Sequence, residues 1–306
     1  MNSTDMMTET MRIRPFFKRS LPGAARVAVL MSGSGTNVEA LFRFCREHSD
    51  LAFEPVVIVT DAPETSRAAA LGREFGVPVA ALDIKAFYRA RGEEAIALTT
   101  PRRREIREEW TDELRRLMAP YRVDFAVLAG FVPLTNLTDD LPCINVHPGD
   151  LTIERDGRRL LAGLHFRPVE QAILAGFPTL PICSSVILAQ PYRGSGAAEM
   201  DSGPVLGVSR PMAVDLEGHP LEELARICAA RQHGPFHDEL RRIAVANLEW
   251  LKVAGDHVVL PRVTADFAAG RFGVDEEGRL CFLRDGKWLV VRTVEYSVDR
   301  SEPVLP

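Results

Sequence analysis

Short apolar runs alternate with helix-period segments through the first half of the chain. "RVAVLMS" (Arg26 to Ser32) is an apolar run ending in glycine, the pattern of a buried strand. "GSGTNVEALFRFCREH" turns and enters a helix on which Val38, Leu41, Phe42 and Cys45 recur at helical spacing. "FEPVVIVTDAP" is a second buried strand. "TSRAAALGREFG" is a helix ending at Gly76, and "VPVAALD" a short third strand. Residues 102–118 predict a long amphipathic helix with Ile106, Trp110, Leu114 and Leu117 on one face. "VDFAVLAGF" is the fourth strand and "LPCINVH" the fifth. Continuous apolar strands alternating with helices predict an α/β fold: a Rossmann-like, mostly parallel sheet with helices on both faces. Ligands bind such sheets at the carboxyl ends of the strands. "SGSGTN", "LAGF" and "NVHP" all fall at such ends and would meet along one rim.

Beyond residue 150 the pattern changes. "LTIERDGRRLLAG" is polar and turn-rich, and "PVEQAILAG" a short helix. "CSSVILAQ" and "GPVLGVSRPM" read as two antiparallel strands joined by the loop "PYRGSGAAEMDS". The run from Pro220 to Leu251 is helical, with an interruption at Gly234-Pro235. The stretch "RFGVDEEGRLCFLRDGKWLVVRTVEYS" reads as a meander turning at "DEEG" and "RDG". The expected organisation is a loosely ordered leader over 1–24, a main domain over 25–251 and a small β-rich extension over 252–306.

The chain has 306 residues, 46% hydrophobic and 26% charged, ordinary for a globule with a real core. A net charge of −5 gives no field favouring nucleic acid. The arginines at 102–104 and 107 sit beside Glu105, Glu108 and Glu109, as on a solvated helix face. Five cysteines, widely spaced and without a C-x-x-C pair, indicate neither a disulfide framework nor a zinc site, and a reducing cytoplasm fits best. No apolar stretch reaches the roughly 20 residues of a membrane helix, and the first residues lack the apolar centre of a secretory signal.

Three places could carry chemistry. Gly33 and Gly35 stand between a buried strand and a helix, whose free N–H groups bind anions. The sixth position of G-x-G-x-x-G is Val38 and no P-loop lysine follows, so the turn fits one phosphate rather than a dinucleotide or ATP. The alternative is a tight turn with Thr36 or Asn37 capping the helix. Asn145 and His147, two apart in a strand, project to one face. Together they could stabilise an oxyanion or move a proton, or they could be a bonded amide and a surface imidazole at a turn. Asp201, in "MDSGPVLG", is the best carboxylate to tune His147, or else it merely opens a turn.

Taken in order, "VLMSGSGTNVEAL", "VLAGF", "INVHP", "GLH", "DSGPVL" and the closing helix resemble the folate-dependent formyltransferases, closest to their phosphoribosylglycinamide formyltransferase branch. The likeness runs from about Arg26 to Leu251. It implies that Gly33, Ser34, Gly35, Thr36 and Asn37 hold the phosphate of an amine substrate. Leu128, Phe131, Val132, Leu134 and Thr135 would border the folate pterin, with Arg107 near it. Gly163, His165 and Gln232 would line the rest of the substrate site. Asn145, His147 and Asp201 match the family's catalytic trio. The amine would attack the formyl carbon of 10-formyltetrahydrofolate, the co-substrate, while Asn145 and protonated His147 stabilise the oxyanion. Asp201 would raise the His147 pKa and help relay the proton to the leaving folate nitrogen. No metal is needed. The implied partners are small molecules only, with no nucleic acid and no membrane, and the implied assembly is a monomer or homodimer.

Several positions depart from the family pattern. Gly149-Asp150-Leu151-Thr152 replaces Ser-Leu-Leu-Pro after "NVHP", and the link to Gly163 is lengthened by "IERDGRRL". Ile187 stands where the family often has His, and Gln232 where its last helix often has Glu. "RGSGAAE" is an insertion, and nothing in the family matches the tail beyond Leu251. Glycinamide ribonucleotide, of purine biosynthesis, is the acceptor implied by default. The rival readings are a formyltransferase for another sugar or nucleotide amine, a hydrolase releasing formate, and a non-catalytic folate- or phosphate-binding relative.

Overall fold

The structure, a computed structural model, describes residues 12–19, 22–176, 182–193, 201–232, 234 and 236–306. The strands are β1 (Arg14–Pro15), β2 (Ala25–Met31), β3 (Phe53–Thr60), β4 (Val79–Ala81), β5 (Phe125–Leu128), β6 (Cys143–His147), β7 (Glu154–Arg155), β8 (Arg158–Arg159), β9 (Ser185–Leu188), β10 (Val205–Ser209), β11 (Phe272–Val274), β12 (Leu280–Arg284), β13 (Lys287–Val290), β14 (Thr293–Tyr296) and β15 (Ser301–Val304). The helices are α1 (Thr36–Glu47), α2 (Ala68–Phe75), α3 (Ile84–Arg89), α4 (Pro101–Met118), α5 (Arg167–Leu174), α6 (Leu221–Ala229), α7 (Glu239–Leu251) and α8 (His257–Ala268). A nine-stranded sheet runs in the order β15-β14-β10-β9-β6-β5-β2-β3-β4. β2 to β6 pair in parallel, and β9 pairs antiparallel with both β6 and β10. The parallel half is the one that the apolar runs predict.

Alternation along β2 divides the core. Val27, Val29 and Met31 face Leu41 and Phe42 of α1 and Val263 and Phe267 of α8. Ala28 and Leu30 face the other side, with Ile106, Trp110 and Leu114 of α4. Local signals set the helix ends. Thr100 accepts from Arg103 N ahead of Pro101, Asp83 caps α3, and Gly76 closes α2 at φ 71°. Among the described residues no helix is long and apolar enough to cross a membrane.

Two expected boundaries do not hold. The closing helix does not stop at Leu251. It widens into a π turn over Lys252–Asp256 and continues as α8. The remainder of the tail divides: β11, β12 and β13 form a separate antiparallel sheet with β1, whereas β14 and β15 extend the main sheet from β10. The leader is tied down from Arg14 onward. Arg14 and Pro15 pair with Val274 and Gly273, and the Phe17 ring lies 5.2 Å from Phe125 and 5.7 Å from Phe267. An aromatic ring in the core outweighs the polar composition around it. Residues 1–11 and the expected insertion "RGSGAAE" beyond Arg193 lie outside the described residues, as does Pro235 at the expected helix break. The polar stretch after His147 forms a hairpin, β7–β8, and not turns alone, and α3 is a helix that the apolar spacing does not announce.

Candidate active site

Asn145 and His147 leave the carboxyl end of β6, Asn145 in register with Leu128 on β5 and with Ile187 on β9. Asp201 reaches them from the loop before β10. Asn145 Nδ2 donates to Asp201 Oδ1 at 3.1 Å, and His147 Nδ1 lies 3.6 Å from Asp201 Oδ2. Residues 56 positions apart are thus joined into one group. The ring and the carboxylate are almost wholly buried, 3% and 7% exposed, so neither is a surface group at a turn.

His147 Nε2 lies 2.7 Å from the Leu161 carbonyl. A carbonyl only accepts, so Nε2 carries the proton and Nδ1 faces the carboxylate. The close approach of Leu161 explains the glycine at 149, where a Cβ would lie 2.9 Å from the Leu161 oxygen. Burial pulls the His147 pKa below its usual value, and the Asp201 charge and the Leu161 bond only partly offset it. Burial likewise pushes Asp201 up, against His147, the Asn145 amide and Arg159. The Asp201 charge does raise the His147 pKa, as expected, but desolvation outweighs it and favours a neutral imidazole over the expected protonated one. Nε2 is engaged by the Leu161 carbonyl while Nδ1 is open to a proton, and Asn145 keeps one N–H beyond its bond to Asp201.

These residues line a cavity of about 180 Å³ with Leu128, Gly130, Phe131, Val132, Pro133, Leu134, Gly163 and His165. It adjoins a second cavity of about 370 Å³ over Ser32 to Asn37. Gly35, at φ 68°, is the N-cap of α1, and no side chain caps the helix. The capping alternative is absent, and the first N–H groups of α1 stay open to an anion. A Cβ on Gly35 would collide with Leu71 and Met31. Ser32, on the wall of the second cavity, holds Val132, which lines both: its hydroxyl donates to Asp61 Oδ1 at 2.5 Å and accepts from Val132 N at 2.9 Å.

Four sequence-predicted residues have their polar groups tied up in the protein or stand apart from the cavities, although Asn37 still lines both. Arg107 is buried behind the folate-side loop, donating to Leu134 O at 2.9 Å and Ile96 O at 2.8 Å. It shapes that loop rather than facing the cavity. Thr135 is fully buried, its hydroxyl accepting from Leu137 N. Asn37 turns inward and donates to Asp256 at 2.9 Å. Gln232 is exposed, beside Arg231, which is tied to Glu170 and Asp238, and it does not reach the cavity.

Lys252 and Asp256, on the π turn, reach the cavity that Gln232 does not. Both line the first cavity, and Lys252 lines the second as well. Asp256 is buried, bonded by Asn37 and the Ser184 hydroxyl, and burial lifts it from 3.8 to about 6 although both bonds pull it down. Gly255 permits this, since a side chain there would strike Ser184 and Ser209. The neighbouring Ser185 bonds the Gly149 carbonyl at 2.6 Å, so the two serines brace opposite walls. An acidic residue at the joint of two apolar helical runs was the one signal in the sequence. Among the described residues no cluster of His, Cys, Asp and Glu is placed to hold a metal ion.

No family model and no curated protein sequence matches the chain. Solved structures do. A phosphoribosylglycinamide formyltransferase from Coxiella burnetii is 18% identical and superposes with a TM-score of 0.55, covering 90% of this chain and 100% of its own. Glycinamide ribonucleotide transformylase 1 from Symbiobacterium toebii is 23% identical, with a TM-score of 0.56 over 88% of this chain and 99% of its own. A phosphoribosylglycinamide formyltransferase from Anaplasma phagocytophilum is 20% identical, with a TM-score of 0.50 over 87% and 97%. The chain has the formyltransferase fold.

Proposed function

We propose that the chain is a folate-dependent formyltransferase, moving the formyl group of 10-formyltetrahydrofolate to the amine of a phosphorylated small molecule. The observation that carries this is the union of Asn145, His147 and Asp201 on the wall of one cleft, beside an uncapped helix N-terminus. The named activities of the structural neighbours agree with it.

The phosphate would sit on the N–H groups of Gly33 to Thr36 with Lys252 beside it. The pterin would lie against Leu128 and the loop Phe131–Leu134, whose backbone Arg107 holds. Asp256 would meet the polar part of the acceptor. The amine nitrogen attacks the formyl carbon, forming one C–N bond, and the carbonyl electrons move to oxygen. The free N–H of Asn145 stabilises that oxyanion. The His147–Asp201 pair takes the proton from the amine through Nδ1 and returns it to the folate nitrogen as the old C–N bond breaks. The imidazole that starts neutral is suited to accepting this proton. The product is a formamide plus tetrahydrofolate.

Glycinamide ribonucleotide is the acceptor of first choice, which would put the enzyme in purine biosynthesis. The five free cysteines suit a reducing cytoplasm. The test is tetrahydrofolate release from 10-formyltetrahydrofolate, followed by absorbance, with glycinamide ribonucleotide, with other phosphorylated amines, and with none. Release that requires the ribonucleotide supports the full reading, and release with another amine moves only the acceptor. Release without any amine marks a hydrolase, and no release from bound folate removes the catalytic reading.

A further inference from the structure

Arg159 stands on β8, in the stretch by which the loop after His147 is lengthened. Its guanidinium donates to the carbonyl of Asp201 and, at 2.6 Å, to that of Gly203. Two carbonyls two residues apart are met by two nitrogens of one planar fork, which a lysine cannot reproduce. On the other side Gly203 runs against the end of β9, where a Cβ would overlap the Leu188 carbonyl, and Leu188 N donates to Pro204 O at 3.1 Å. The main chain that carries Asp201 is therefore gripped between the hairpin and β9.

We propose that Arg159 is a positioning residue for the transfer reaction, its fork on the Asp201 and Gly203 carbonyls setting the Asp201 carboxylate against Asn145 and His147. The proposal rests on the formyl-transfer reading for its kinetic consequences, though not for its electrostatic one. The half-buried cation opposes the burial that pushes Asp201 up and adds to the burial that pulls His147 down. Glu154, on β7, faces Arg159 from its own hairpin. Lys252, Asp256 and His165 share the cavity with the pair. Removing the Arg159 charge therefore moves both Asp201 and His147 to higher pKa.

The experiment measures kcat, both KM values and the pH profile for Arg159→Ala and Arg159→Lys. Arg159→Ala should lower kcat about 100-fold, as a misplacement near 1 Å does, with both KM values within about threefold and both limbs of the profile moved to higher pH. Arg159→Lys keeps the charge without the fork, so its limbs should stay in place while kcat remains at least about tenfold down. Full recovery in Arg159→Lys, or a loss in Arg159→Ala with unmoved limbs, overturns the proposal. NMR titration of ring-labelled His147 in parent and Arg159→Ala needs no turnover. An upward move is expected and an unmoved titration overturns the proposal, even should every acceptor fail and the transfer reading fall.

Discussion

Replacing Asp256 with asparagine removes a charge from the interior with little change of shape. Asp256 is 4% exposed, and burial lifts its carboxyl from 3.8 to about 6 despite donors from Asn37 and Ser184. The folded state thus binds the proton more tightly than the unfolded chain. The stabilisation is complete below about pH 4 and lost as pH rises to about 6; above that the carboxylate is held at a cost of about 3 kcal/mol, at ~1.4 kcal/mol per pH unit of separation. Asn37 Oδ1 is buried without a partner, so its amide can rotate to meet the new side chain. Asp256→Asn should therefore be more stable than the parent by 2–3 kcal/mol at pH 8, a melting temperature higher by about 5 °C, with the gain vanishing near pH 4. Urea melts of both proteins from pH 4 to 8 measure it. A gain independent of pH, or a loss at pH 8, would refute the assignment of the cost to desolvation. The same substitution should raise the acceptor KM about tenfold while the folate KM holds, the pattern of a site that keeps a destabilising group for function.

Other consequences follow from single contacts. Phe17→Ala opens a void beside Phe125 and Phe267 and should cost about 3–5 kcal/mol in urea unfolding, whereas a dispensable leader would lose nothing. Gly35→Ala sets a Cβ at φ 68° against Leu71 and Met31; it should weaken phosphate-bearing acceptors at least tenfold by calorimetry while leaving folate binding intact.

The parallel half of the sheet was legible because strands buried on both faces are written as unbroken apolar runs. The glycine turn and the Asn145–His147 pair were legible because polar residues at the carboxyl ends of such strands have few structural reasons to be there. Asp256 was not legible: no glycine-proline break marks the π turn, which exists because Gly255 packs against Ser184 and Ser209 far along the chain. Arg159 looked like part of a charged turn, since its partner carbonyls lie 42 and 44 residues away. The sign of the His147 shift could not be read either, because the partner charge is visible in sequence and the burial is not.

The most direct test of the account is a single-turnover comparison of the parent with Asn145→Ala, in which binding of 10-formyltetrahydrofolate and the transfer rate are read on the same samples. Asn145 supplies a free N–H beside the reacting carbonyl, so folate affinity should stay within about threefold while transfer slows by about 10²–10³. Transfer at the parental rate in Asn145→Ala would contradict the account, because the formyl carbon could not then sit where β5, β6 and Asp201 converge.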